Sequence, residues 1–341
     1  GKEGLFEYLQ PEWAKKSGRD RSLGPKGTEE SGIVLPEISR EGDLAPRTGL
    51  LGGSSKPLPP VDRTSKLYVG GKQVRGDGDY TLPVRSGKGE VVGEVPRGNR
   101  KDIRNAVEAA HAGAKNWAPR TSHNRAQILY FLAENLAARH EEFLLRLHNV
   151  TGIRRRDAKK EVNASIRRLF GFAAWADKYD GMVHHTPFRN VTLAMPEPIG
   201  VMGLVCPDEA PLLGFVSTVA PLMAMGNAVV AIPSERWPLL ATDLYQVIET
   251  SDIPAGVVNI VTGLRAEMVP TLAAHDDVDG IWYFGSAAGS EEVERLSTGN
   301  MKITWVSNGR LLDWWDDAET GGEPFLREAI QWKNIWVPYG E

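Results

Sequence analysis

The chain has 341 residues, 41% apolar and 25% charged, enough to bury the core of one large domain or two modest ones. Its 40 Lys and Arg against 44 Asp and Glu leave a net charge of −4, so no basic field exists to recruit nucleic acid or an anionic membrane. One cysteine, Cys206, excludes an internal disulfide framework and suits a reducing compartment such as the cytoplasm, and no apolar run approaches the ~18 residues of a membrane span.

Residues 1–13 carry more apolar positions than the stretch after them. Residues 14–64 are rich in Gly, Pro, Ser and charge and lack a period, so they read as a flexible linker ahead of a compact region at 65–341. Pro57-Leu58-Pro59-Pro60 within it favours an extended polyproline spacer. The chain begins at Gly1, as expected of a piece cut from a longer protein.

Past the linker, 67–72 and 81–84 read as short strands around a turn at Gly76, Asp77 and Gly78, and 90–95 as a further strand ending at Pro96. A helical stretch covers 101–170, interrupted at Pro119 and at Thr151-Gly152, with Ile103, Ala106, Val107 and Ala110 at helical spacing. The run Arg154-Arg155-Arg156 is followed by Asp157 and reads as a solvated helix face. Residues 182–195 read as a hairpin with Met182, Val183, Val191 and Leu193 in its arms. His184 and His185 within it point to opposite sides and lack a third ligand, so no metal is expected.

Strand and helix then alternate. Strands are expected at 199–205, 227–232, 257–261, 280–284 and 303–306, and helices at 211–224, 239–249, 267–274 and 289–296. Repeated βα units predict an α/β fold, a doubly wound Rossmann-like parallel sheet with helices on both faces.

Several landmarks succeed one another in a recognisable order: Ala173-Ala174-Trp175-Ala176-Asp177-Lys178, Glu197-Pro198-Ile199-Gly200-Val201, Met225-Gly226-Asn227-Ala228, Ile253-Pro254-Ala255-Gly256 and Asp277-Val278-Asp279. From about Lys66 onward they resemble the nucleotide-binding half of the aldehyde dehydrogenase superfamily. Residues 1–13 are similar to the end of an upstream module of that family. Together these features resemble family 16, whose vertebrate members carry two tandem modules, the second degenerate and short.

The resemblance implies roles for particular positions. Lys302 to Arg310 lies on the run that holds the family's general-base glutamate, and Val306 stands in its place. The turn that supplies an oxyanion-stabilising asparagine reads Pro207-Asp208-Glu209-Ala210-Pro211, with Glu209 at the asparagine position. The adenosine-binding run reads Ile232-Pro233-Ser234-Glu235, so Glu235 persists while isoleucine replaces the cation. Gly263 persists in the next turn, but Val269 fills a later glycine position and is expected to obstruct a phosphate. Gly285 and Ser286 persist in Tyr283-Phe284-Gly285-Ser286.

Residues 328–336 align with the helix leading to the catalytic loop, which puts the nucleophile's place near Glu341, with the catalytic domain absent. Cys206, at the end of a core strand, reads as structural. These readings imply a module that is not an enzyme and uses no cofactor, with Glu235, Gly263, Gly285 and Ser286 a vestigial NAD site. It would act by docking on a protein partner or its upstream module, and by self-association through the 182–195 hairpin. Trp314, Trp315, Phe325, Trp332, Ile335, Trp336 and Tyr339 are candidates for a partner surface or for core. The competing expectation is part of an NAD(P)-dependent aldehyde dehydrogenase whose active site lies upstream. A third is a nucleotide sensor that binds NAD without turnover.

Overall fold

A computed structural model describes residues 64–187 and 189–339. The expected tail at 1–13, and the linker at 14–64 except for its last residue, lie outside them. The stretch expected as one strand at 67–72 is instead a hairpin: β1 (Leu67–Val69) turns at Gly70-Gly71 into β2 (Lys72–Val74). A second hairpin, β3 (Thr81–Arg85) with β4 (Val91–Pro96), forms a separate two-stranded sheet.

Four helices come next: α1 (Arg100–Trp117), α2 (Ser122–Ala138), α3 (His140–Thr151) and α4 (Arg155–Ala176). Asn99 opens α1 with a capping box. Its side chain accepts from the amides of Lys101 and Asp102, and the Asp102 carboxylate accepts from the Asn99 amide. The predicted apolar face of Ile103, Ala106, Val107 and Ala110 is buried. The breaks at Pro119 and at Gly152 are present, and a third at Arg139 separates α2 from α3. A Cβ added at Gly113 would lie 2.4 Å from the carbonyl carbon of Gly256, so α1 approaches that loop backbone to backbone.

The alternating region gives β7 (Val201–Val205), α5 (Pro211–Ala224), β8 (Ala228–Ile232), α6 (Leu239–Asp243), α7 (Tyr245–Glu249) and β9 (Val258–Ile260). It continues through α8 (Arg265–Ala273), β10 (Gly280–Tyr283), α9 (Ala287–Leu296) and β11 (Ile303–Val306). The helix expected at 239–249 is split at Leu244. Strand order in the seven-stranded sheet is β11-β10-β7-β8-β9-β1-β2, with β11 through β9 parallel and the β1–β2 hairpin antiparallel on the β9 edge.

Both faces of this sheet are covered. Along β8, Val229 and Ala231 join one core cluster while Ala228, Val230 and Ile232 join the other. The chain winds from β7 outward to β9, then returns to lay β10 on the other side of β7. That reversal opens a crevice beyond the carboxyl ends of β7 and β10.

The hairpin expected at 182–195 is present as β5 (Met182–His185) and β6 (Asn190–Pro198). After α10 (Asp317–Thr320) and α11 (Glu323–Glu328), the expected helix at 328–336 is not found. A strand, β12 (Ile330–Pro338), pairs antiparallel with β6 from Ile330↔Pro198 to Pro338↔Asn190. Ile330, Trp332, Ile335, Trp336 and Val337 are β-formers, and an open edge of β6 lies ready to pair.

The aromatic residues near the chain's end separate into two groups. Trp314 and Phe325 are buried with Trp282 and Phe284, and the half-buried Trp305 packs on them, mostly edge to face at 4.8–6.4 Å between ring centroids. Trp315, Trp332, Trp336 and Tyr339 are exposed. Among the described residues no helix is long and apolar enough to cross a membrane.

Candidate dinucleotide site

The loops after five parallel strands meet at the crevice. Asp208, just past β7, takes the Arg265 guanidinium in a fork, Nη1 to Oδ2 at 2.9 Å and Nη2 to Oδ1 at 3.0 Å. Nη2 also donates to the Cys206 carbonyl at 2.6 Å. Arg265 Nε is buried with no partner. Glu235, past β8, accepts from the Arg265 amide at 2.7 Å, which caps α8 with a carboxylate. Loops after β7 and β8 therefore both hold one residue that lies past β9.

The other wall comes from the loops after β10 and β11. Ser286 caps α9 by accepting from the Gly289 amide at 3.1 Å. Ser307 Oγ accepts from the Gly285 amide at 3.2 Å and donates to the Gly285 carbonyl at 3.1 Å, tying the two loops together. The Tyr283 ring lies against this turn, so a Cβ at Gly285 would meet it at 2.7 Å. Between the walls is a cleft of about 430 Å³ lined by Asp208, Glu209, Arg265, Gly285, Ser286 and Ser307. A smaller cleft of about 290 Å³ adjoins Glu235, Trp237 and Gly263.

The expected site residues divide by position. Glu235, Gly285 and Ser286 reach these clefts. Gly263 lines the smaller one while packing on Gly98: a Cβ there would lie 2.9 Å from the Gly98 nitrogen. Glu209 is exposed at the turn before α5. Val306 ends β11 in register with Tyr283, half-buried against the second core cluster. Cys206 is buried and its thiol is pushed up to about 12 by burial, so it is inert at neutral pH. Among the described residues no cluster of three or more His, Cys, Asp and Glu could hold a metal. Asp208 and Arg265 are not singled out by the sequence. Their signal is an acid and a base in two strand-end loops that the winding order brings together.

A larger cleft of about 1060 Å³ lies elsewhere, near Arg139, Arg146 and Asp243. Its charges satisfy one another, Arg139 with Glu142 at 2.6 Å and Arg146 with Asp243 at 2.6 Å.

A dinucleotide needs a cation and free amides for its phosphates and an acceptor for its ribose. Arg265 with its orphaned Nε, the α9 N-terminus and Glu235 supply these, so the residues present fit the group.

Comparison with known proteins agrees with this geometry. The pattern described as "Aldehyde dehydrogenase family" matches residues 75–309. The chain is 34% identical over 232 residues to a hydroxyisobutyraldehyde dehydrogenase of Mycolicibacterium austroafricanum, covering 67% of this chain and 46% of that protein. It is 31% identical over 251 residues to a mitochondrial aldehyde dehydrogenase of Rattus norvegicus, covering 69% and 48%. A solved 3,6-anhydro-L-galactose dehydrogenase in complex with NAP superposes with a TM-score of 0.68 at 25% identity, over 72% of this chain and 52% of that one. The chain thus spans about half the length of the curated relatives it matches.

Two expectations are corrected by these findings. The chain was expected to be no enzyme, yet the proteins it matches are named dehydrogenases, and nothing in the match marks reactive groups as lost. It was also expected to use no cofactor, yet a solved structure of the same fold is in complex with NAP. The physical reason is visible at the crevice. Val269, expected to obstruct a phosphate, is buried in the core, and Arg265 lines the cleft where Ile232 was expected to leave no cation.

Proposed function

Because the chain belongs to the aldehyde dehydrogenase family, we propose that it is the dinucleotide-binding half of an NAD(P)-dependent oxidoreductase acting on aldehydes. The observation that supports this most is the crevice at the strand-order reversal, where a cation, a capped helix N-terminus and a carboxylate converge. The bound nicotinamide would supply the hydride acceptor. In this reading Glu235 keeps one carboxylate oxygen for a ribose hydroxyl, since the other holds the Arg265 amide. Ser286 and the first amides of α9 receive phosphate oxygens. Gly263 and Gly285 shape the turns, packing on Gly98 and on the Tyr283 ring.

Calorimetric titration of the chain with NAD and with NADP tests the reading. Saturable binding, weakened by Glu235→Ala, is expected. A flat titration at millimolar cofactor would refute it.

Assembly is a second part of the proposal, and the sheet β12-β6-β5 favours it. Val183, Leu193 and Ile335 form one cross-strand row, and Val191 and Val337 flank it on the same face. Val183 is 72% exposed and Val337 48%, while Thr192 and Ala194 on the opposite face are buried against the body. We therefore assign self-association to this face. Val183→Asp with Val337→Asp should lower the mass seen in sedimentation, and an unchanged mass would count against it. The resemblance of residues 1–13 to a module's end supports an upstream module as a further partner, with 14–64 between them. A buried lone cysteine suits the cytoplasm.

A further inference from the structure

Among the residues lining the 430 Å³ cleft, the cations are Arg265 and Arg310. Arg310 is engaged with Glu319. Arg310 sits at the rim with its side chain 71% exposed, which leaves Arg265 as the cation set into the wall of the cleft. That side chain is 16% exposed, and three hydrogen bonds engage a guanidinium with five N–H donors. Nε is left buried and unpartnered, which is a standing penalty for the arrangement.

The partner carboxylate is differently placed. Asp208 is 37% exposed, and its Oδ1 also accepts from Ser234 Oγ at 2.7 Å and from the Arg236 amide at 3.4 Å. It can therefore release the guanidinium without losing every partner. A phosphate carries more charge and more acceptor oxygens than one carboxylate, and it competes well for a forked donor.

We infer that Arg265 is the phosphate-binding cation of this crevice, held in place by Asp208 and transferred to the pyrophosphate of a dinucleotide when one enters. This rests on the dinucleotide reading for the identity of the ligand, though the phosphate chemistry can be tested separately. The ion pair positions the cation before an anion arrives. Exchange of one acceptor for another keeps the buried charge compensated throughout.

The test is calorimetric titration of the 341-residue chain with inorganic pyrophosphate and, separately, with NAD and NADP. Arg265→Gln should weaken pyrophosphate about 10- to 100-fold, the range for losing charge-assisted hydrogen bonds. Asp208→Asn should tighten it, because the competing carboxylate is gone. Pyrophosphate bound by Arg265→Gln as tightly as by the parent overturns the inference. If that variant does not fold, Asp208→Asn decides: tighter pyrophosphate supports the exchange, and equal or weaker binding overturns it. Arg265-dependent pyrophosphate binding without dinucleotide binding sinks the dinucleotide reading and leaves Arg265 assigned. Dinucleotide binding that survives Arg265→Gln unchanged does the reverse. A parent chain that binds none of the three refutes both.

Discussion

Replacing Glu161 by glutamine should remove a large pH dependence of stability. Glu161 lies on α4, 3% exposed, and points at the start of α5. Its Oε1 accepts from the amides of Leu212 at 3.0 Å and Leu213 at 3.3 Å. Because α5 has no cap from its own N-terminal side chain, this carboxyl group is the cap. Burial pushes it from the ordinary 4.5 up to about 7, against the pull of the two amides. The folded chain thus keeps a proton that the unfolded chain releases between those values. Stability from this group is full below about 4.5 and is lost as pH rises through about 7. At about 1.4 kcal/mol per pKa unit the loss comes to about 3 kcal/mol. Glutamine keeps an oxygen for the two amides and never ionises. Urea denaturation from pH 4.5 to 8 should show Glu161→Gln gaining on the parent by about 3 kcal/mol across that window. Parallel curves for the two proteins would refute the assignment.

Packing sets three further outcomes. Gly113→Ala forces a Cβ to within 2.4 Å of Gly256 and should cost about 1–3 kcal/mol in urea denaturation. Ala210, at φ 45°, holds the left-handed conformation just before α5, so Ala210→Gly should stabilise by about 1 kcal/mol in the same assay. Arg168, 3% exposed, donates to Ser217 Oγ at 2.8 Å, Thr320 Oγ1 at 3.0 Å, Asp317 Oδ1 at 2.8 Å, and the carbonyls of Trp314 at 3.1 Å and of Thr320. Arg168→Met should cost about 3 kcal/mol through the orphaned carbonyls and should speed amide exchange at 313–321 before the central strands.

The legible part of the fold is the part governed by local pattern. Apolar runs of strand length between helical periods locate β7, β8, β9, β10 and β11, and Pro119 and Gly152 locate helix ends, because Pro and Gly act through their own dihedrals. β12 reads as helix only by resemblance to the family's order of elements, and the pairing with β6 that makes it a strand is a long-range contact that no local pattern announces. The break at Arg139 is silent in the sequence because that residue ends α2 without Gly or Pro to announce it.

Site residues are legible where one residue fills a family position, and illegible where function is shared across loops. Glu235, Gly285 and Ser286 can be found one at a time. Arg265 cannot, since its meaning lies in Asp208, 57 positions away. The loss of a cation at Ile232 looks decisive along the chain, yet the Cys206 amide binds the Ile232 carbonyl at 2.9 Å while the Cys206 carbonyl holds Arg265 at 2.6 Å. A single residue thus links the end of β8 to the guanidinium. Charge absent from one strand end is present beside it on the next loop. A phosphate would respond to the field of the whole crevice, which sums over loops that the sequence keeps apart.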